Sequence, residues 1–85
     1  MPKNIEIIDS QEMIYRQELG ERLKSFRVKN GIRQQEVAAE TGIQQPSLVR
    51  YESGKRCPSL YFVKQFVEKF GCDLHWLVFG DEDQK

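Results

Sequence analysis

The sequence predicts an all-α fold of five short helices, and three observations carry that prediction. Apolar residues recur at steps of three and four along most of the chain, the spacing of one face of a helix. Glycines stand where the helical runs end, at Gly31, Gly42, Gly54 and Gly71. A left-handed residue just past the last turn is a common way for a helix to stop. Alternation of period two is confined to KNIEIID at residues 3–9, so a short strand or a packing arm is the most extended structure to expect.

The elements follow in order. The first helix starts as early as Ser10, with Asp9 or Ser10 as its cap, because Glu12 stands three residues after Asp9. Tyr15, Leu19, Leu23 and Phe26 form its inward stripe, and Asn30-Gly31 ends it. Ile32 packs back, and a second helix runs from about Gln34 to Thr41 with Val37 and Ala38 inward. Ala38 and Ala39 are small, which allows a neighbouring helix to come close. Gly42 ends this helix and Ile43 is an isolated apolar residue in the turn. The third helix, about Gln45 to Glu52, has Leu48 and Tyr51 as apolar positions and closes at Gly54. Ser59 caps a fourth, where Leu60, Val63, Phe66, Val67 and Phe70 recur. Asp73 caps a short fifth carrying Leu74, Trp76, Leu77, Val78 and Phe79. This divides the chain into residues 1–14 (an arm and the start of the first helix), a domain over 15–80, and a polar tail at 81–85.

Eighty-five residues suit one domain, with 39% apolar and 31% charged residues, ordinary values for a globular chain. No run approaches the roughly 18 apolar residues of a membrane helix. The start MPKNIEIIDSQEM is acidic and lacks an apolar centre, so it does not read as a signal peptide, and a cytoplasmic protein is expected. Cys57 and Cys72 have no second pair to make a zinc site. Cys72 reads as a small core residue, Cys57 as an incidental loop thiol and His75 as a partly exposed helix residue. No cofactor motif is present, and one histidine with no nucleophile beside it argues against an enzyme. The formal net charge is zero, yet residues 21–58 hold eight basic and four acidic groups while both flanks are net acidic. Local charge sets attraction for a polyanion, so the basic middle leans slightly toward a nucleic-acid partner, the bland alternative being that a window of this length reaches +4 by chance.

That middle contains two helices joined by a tight turn with Gly42 and an apolar Ile43, the helix-turn-helix pattern, at about 34–53. With Leu48 turned to the core, Gln44, Gln45, Pro46, Ser47, Val49 and Arg50 stay exposed on the second helix of the motif. The stretches LKSFRVKNGIRQQEVA, ETGIQQPSLVRYESGKRCPSL and VKQFVEKFGCDLHWL resemble the Xre-type, lambda-repressor-like DNA-binding domains, above all the amino-terminal domains of lambdoid phage repressors and Cro proteins. The resemblance implies a compact five-helix domain whose third helix enters the major groove of double-stranded DNA. It implies base contacts by Gln44, Gln45, Ser47, Val49 and Arg50. Glutamine suits adenine, arginine suits guanine, and Val49 suits a thymine methyl. The alternative for Gln44 is a helix cap or a solvated side chain. Pro46 costs little in a first turn and would stiffen it.

The resemblance also implies phosphate contacts by Gln34, at the start of the second helix, and by the flanking Arg33, Ser53, Lys55 and Arg56. For Lys55 and Arg56 the bland alternative is a solvated loop. Arg27 and Glu52 are carried over as a structural salt bridge. The function implied is a sequence-specific transcriptional regulator, most simply a repressor on a palindromic operator, of phage or prophage type. A homodimer is expected, with Trp76, Val78 and Phe79 of the fifth helix as its surface and the isoleucines of the N-terminal arm as the second choice, unless Trp76 and Leu77 only complete the monomer core. The competing reading is an antitoxin that binds a toxin partner, through an arm such as IEIIDSQEMI, and represses its own operon.

Overall fold

Helix periodicity and the glycine stops translate directly into structure. The computed structural model describes residues 10–80, and the alternating stretch 3–9 and the tail 81–85 lie outside the described residues. Five helices follow one another: α1 (Ser10–Lys29), α2 (Gln34–Thr41), α3 (Gln45–Glu52), α4 (Leu60–Phe70) and α5 (Leu74–Phe79). The described residues contain no strand, and the fold is the all-α one that the spacing predicts. α1 packs along α3 and reaches α5, while α2 packs on both α3 and α4.

The core forms where the predicted stripes meet. Leu23, Val37, Leu48, Phe62, Phe66 and Leu77 are essentially removed from solvent. Burying a side chain of this size contributes about 1.5–3 kcal/mol. The Phe66 ring meets Phe26 edge-on at a centroid distance of 5.6 Å, and Tyr51 lies 4.9 Å from Phe62. Tyr15 and Phe26 complete the α1 stripe from its margins, half-buried against this cluster.

Two apolar residues depart from what the sequence leads one to expect, Leu60 on the apolar stripe of α4 and Ala39 as a small residue at a helix approach. Leu60 is 82% exposed. It is the first residue of α4, and helix side chains tilt toward the N-terminus, so Leu60 overhangs the end of the helix instead of covering the core. Ala39 is exposed as well, since a third consecutive residue after Val37 and Ala38 turns 100° further round the helix. Ala38 alone supplies the small inward residue of α2.

A close approach between helices comes instead from Gly20 in the middle of α1. A Cβ there would collide with the Tyr51 carbonyl oxygen and stand 2.7 Å from that of Glu52. Gly54, just past α3, has φ +80°, and a Cβ on it would lie 2.9 Å from the Gln17 Cα. The end of α3 and the residue just past it therefore meet α1 closely at two points, each made possible by a glycine on one side.

Side chains of α1 also finish α5. The Arg22 Nε donates to the Leu77 carbonyl at 2.9 Å and the Tyr15 hydroxyl to the Val78 carbonyl at 2.8 Å, satisfying acceptors that a helix end leaves open. The predicted caps are in place: Ser59 Oγ accepts from the Phe62 N–H at 3.0 Å, and Asp73 accepts from the Trp76 N–H at 2.7 Å.

Candidate nucleic-acid interface

α2, the turn at Gly42 and α3 form the pair of helices that the motif predicts. Gly42 has φ +79° with open space around it, so its requirement is conformational freedom and not room. Its N–H and that of Ile43 both donate to the Ala38 carbonyl, at 2.9 and 3.2 Å, which closes α2 and turns the chain. Gln44 is the N-cap residue of α3, extended at φ −80° and ψ 147°. Its side chain makes no cap hydrogen bond, which leaves the amide to solvent. Gln45 and Pro46 are the first two helical residues, where a proline costs little because that N–H has no helical acceptor.

Behind the exposed end of α3 lies a chain of polar contacts. The Arg27 guanidinium grips the Glu52 carboxylate with two N–H groups, Nε to Oε2 at 2.6 Å and a terminal nitrogen to Oε1 at 3.1 Å. The remaining terminal nitrogen of Arg27 donates to the Ile32 carbonyl at 3.0 Å, so the pair also fastens the loop into α2. Both side chains are largely buried, with 12% and 5% of their surface exposed. The Gln34 Nε2 donates to the same Glu52 Oε1 at 3.1 Å, and the Gln45 Nε2 donates to Gln34 Oε1 at 3.1 Å.

The order of donors in this chain is fixed by chemistry. A carboxylate only accepts, so Gln34 must turn its NH2 toward Glu52 and its carbonyl toward Gln45. Gln45 must then offer an N–H to Gln34. It retains its carbonyl oxygen and a second N–H, and this donor–acceptor pair matches N6 and N7 of adenine.

The loop after α3 is gathered onto one carbonyl. Arg50 O accepts from the N–H groups of Lys55 and Arg56, at 2.9 and 3.3 Å, and from the Ser53 hydroxyl at 3.3 Å. These contacts hold two exposed cations beside the C-terminal end of α3. A groove lined by Gln45, Pro46, Val49, Arg50, Ser53 and Lys55 runs along the outer face of the helix. A second, more polar groove lies across the start of α2, between Lys24, Arg27, Arg33, Gln34, Gln35 and Gln45. The two share Gln45. One continuous surface thus carries three of the five residues predicted for bases and four of the five predicted for phosphates. Gln44 and Arg56 are exposed beside the grooves without lining them, and Ser47 is half-buried.

A family model described as helix-turn-helix matches residues 23–77. The chain belongs to the Xre-type, lambda-repressor-like helix-turn-helix family. It is a helix-turn-helix transcriptional regulator and a DNA-binding protein. Two proteins of Archaeoglobus fulgidus, each named as an uncharacterized HTH-type transcriptional regulator, are similar to it. One is 33% identical over 63 residues, 73% of this chain and 90% of its own length. The other is 30% identical over 63 residues, 74% of this chain and 89% of its own length.

In this helix-turn-helix domain the sequence reading passed over Lys24 and Gln35. Lys24 lines the second groove and also a smaller one with Gln34, Val49, Glu52 and Ser53. The signal available was its place three residues before Arg27 on α1, which puts both on one helix face. Of the residues expected at a dimer surface, Phe79 is 71% exposed, while Trp76 and Val78 are half-buried against the core. Leu74, at 50% exposure, joins Phe79 as exposed apolar surface on α5. No helix among the described residues is long and apolar enough to cross a membrane.

Proposed function

We propose that this protein is a sequence-specific repressor that inserts α3 into the major groove of a palindromic operator and so blocks access to a promoter. The observation that carries the reading is the Glu52–Gln34–Gln45 contact chain, which presents the Gln45 amide with one donor and one acceptor free. Gln44, Ser47, Val49 and Arg50 complete the base-reading set. Arg33, Gln34, Ser53, Lys55 and Arg56 hold the phosphates on either side, with Lys24 added to them. One domain covers half a site, so two copies act together on half-sites roughly 34 Å apart or a multiple of it. The exposed Leu74 and Phe79 of α5 supply the apolar surface for that pairing.

The test is selection of bound duplexes from a random pool, followed by titration of the winning site. An inverted repeat containing adenine and guanine in each half is expected. Gln45→Ala should then lose about 1–3 kcal/mol on the selected site and little on unrelated DNA. Arg56→Ala should weaken both alike and reduce the salt slope by about one. A pool that shows no enrichment even at low salt overturns the proposal.

A further inference from the structure

The Gln45 amide is held in one orientation by the contacts behind it. Its Nε2 donates to the Gln34 Oε1 at 3.1 Å, and the Gln34 Nε2 donates to the Glu52 Oε1 at 3.1 Å. Glu52 is fixed in turn by the Arg27 guanidinium. Turning the Gln45 amide over would set its carbonyl oxygen against that of Gln34, two acceptors with no proton between them. Pro46, the next residue, stiffens the turn that carries Gln45. Gln44 is free of this restraint, since its side chain makes no cap hydrogen bond and is exposed.

An amide that cannot turn is sensitive to any change on the base edge it faces. On an adenine, the free N–H of Gln45 meets N7 and its carbonyl oxygen accepts from the N6 amino group. A methyl group on N6 leaves a single N6–H, and base pairing keeps that hydrogen on thymine. The methyl is therefore turned to the N7 side, in place of the hydrogen that the Gln45 carbonyl accepts. The carbonyl loses its donor, and the carbon stands in the space that a hydrogen-bonded oxygen needs. We propose that Gln45 makes operator binding a readout of adenine N6-methylation, the protein holding the unmethylated site and releasing the methylated one. In an inverted repeat the adenines read by the two copies lie on opposite strands. Methylation of one strand removes one contact, and methylation of both removes two. This inference rests on the operator reading above.

The experiment takes the selected operator and replaces each adenine in turn with N6-methyladenine, first on one strand and then at the symmetry-related positions of both. At one position per half-site, affinity should fall about ten-fold with one methyl and about a hundred-fold with two, the loss of one bidentate base contact per copy. At the same position 7-deazaadenine, which lacks N7 and keeps N6, should also weaken binding. Gln45→Ala, with its melting temperature checked, should bind the methylated and unmethylated duplexes equally well. Wild-type binding that stays specific yet is indifferent to the methyl at every adenine overturns the inference and leaves the operator reading intact. So does a selected half-site without adenine, a methyl penalty that Gln45→Ala keeps in full, or one confined to positions where 7-deazaadenine has no effect. Binding without sequence preference overturns the operator reading, and this inference with it.

Discussion

At the residue scale, Gly20 behaves against its type. In an exposed helix interior, Gly→Ala gains about 1 kcal/mol through helix propensity. Here the added methyl meets the carbonyl oxygens of Tyr51 and Glu52, which are backbone atoms and cannot swing aside. Overpacking of this kind costs about 1–3 kcal/mol, which exceeds the propensity gain. Gly20→Ala is therefore expected to lower the melting temperature, and Gly20→Val more so, because α1 must lift off the end of α3. Calorimetry of the two variants checks it, and a raised melting temperature for Gly20→Ala would show that the helices separate without cost. Gln44 and Gln45 differ in the same local way: they are chemically identical neighbours, but only Gln45 reaches Gln34 and is held.

At the scale of elements, the Arg27–Glu52 pair couples α1, the loop into α2 and the end of α3. Its loss reaches further than stability. Removing one partner from a largely buried pair typically costs about 3–5 kcal/mol, so Glu52→Ala should melt far below the wild type. Glu52→Gln is the more informative change. Its amide can still accept from Arg27, but its NH2 can also face Gln34 and reverse the donor order along Gln34 and Gln45. The expected outcome is a folded protein with a lower melting temperature and a smaller ratio of operator to non-specific affinity. Competition binding checks this, and an unchanged ratio would separate the ion pair from base reading. The two sequence expectations that failed, Leu60 and Ala39, belong to this scale too. Periodicity assigns a residue to a helix face, but it does not say how far along the helix the neighbouring element extends.

For the whole molecule, the groups that titrate in the interior predict an alkaline limit. Burial, and secondarily the nearby Asp73 carboxylate, push the Cys72 thiol from 9.0 up to about 11. Burial also raises the Tyr15 phenol, with the Arg22 guanidinium working against it. Both groups are neutral in the folded protein, and both bind protons more tightly there than in the unfolded chain. The contribution of Cys72 to stability is complete below about pH 9 and is lost as pH rises through about 11, and Tyr15 adds an alkaline loss in the same direction. Urea midpoints should fall between pH 9 and 11, and Cys72→Ala should flatten that fall whatever it does to stability at neutral pH. A midpoint fall as steep in Cys72→Ala as in the wild type would assign the alkaline limit to other groups.

How much of this was legible in the sequence follows the range of the interactions concerned. Helix order, most boundaries, the Ser59 and Asp73 caps and the turn at Gly42 depend on residues within a turn or two of one another, so spacing and residue type determined them. The motif and its family were legible for the same reason, since the helix-turn-helix is a local pattern of small, apolar and polar positions. The tertiary structure alone decided what depends on residues distant in the chain. Gly20 reads in the sequence as a weak point in a helix and is in fact the seat of α3. Lys24 reads as one more solvated lysine until α1 is laid beside α2 and α3. The free hydrogen-bonding edge of Gln45 is set by a carboxylate seven residues away, through Gln34 eleven residues away on another helix. Side-chain chemistry supplied the groups that can read a base, and packing between helices decided which of them is held in position to do so.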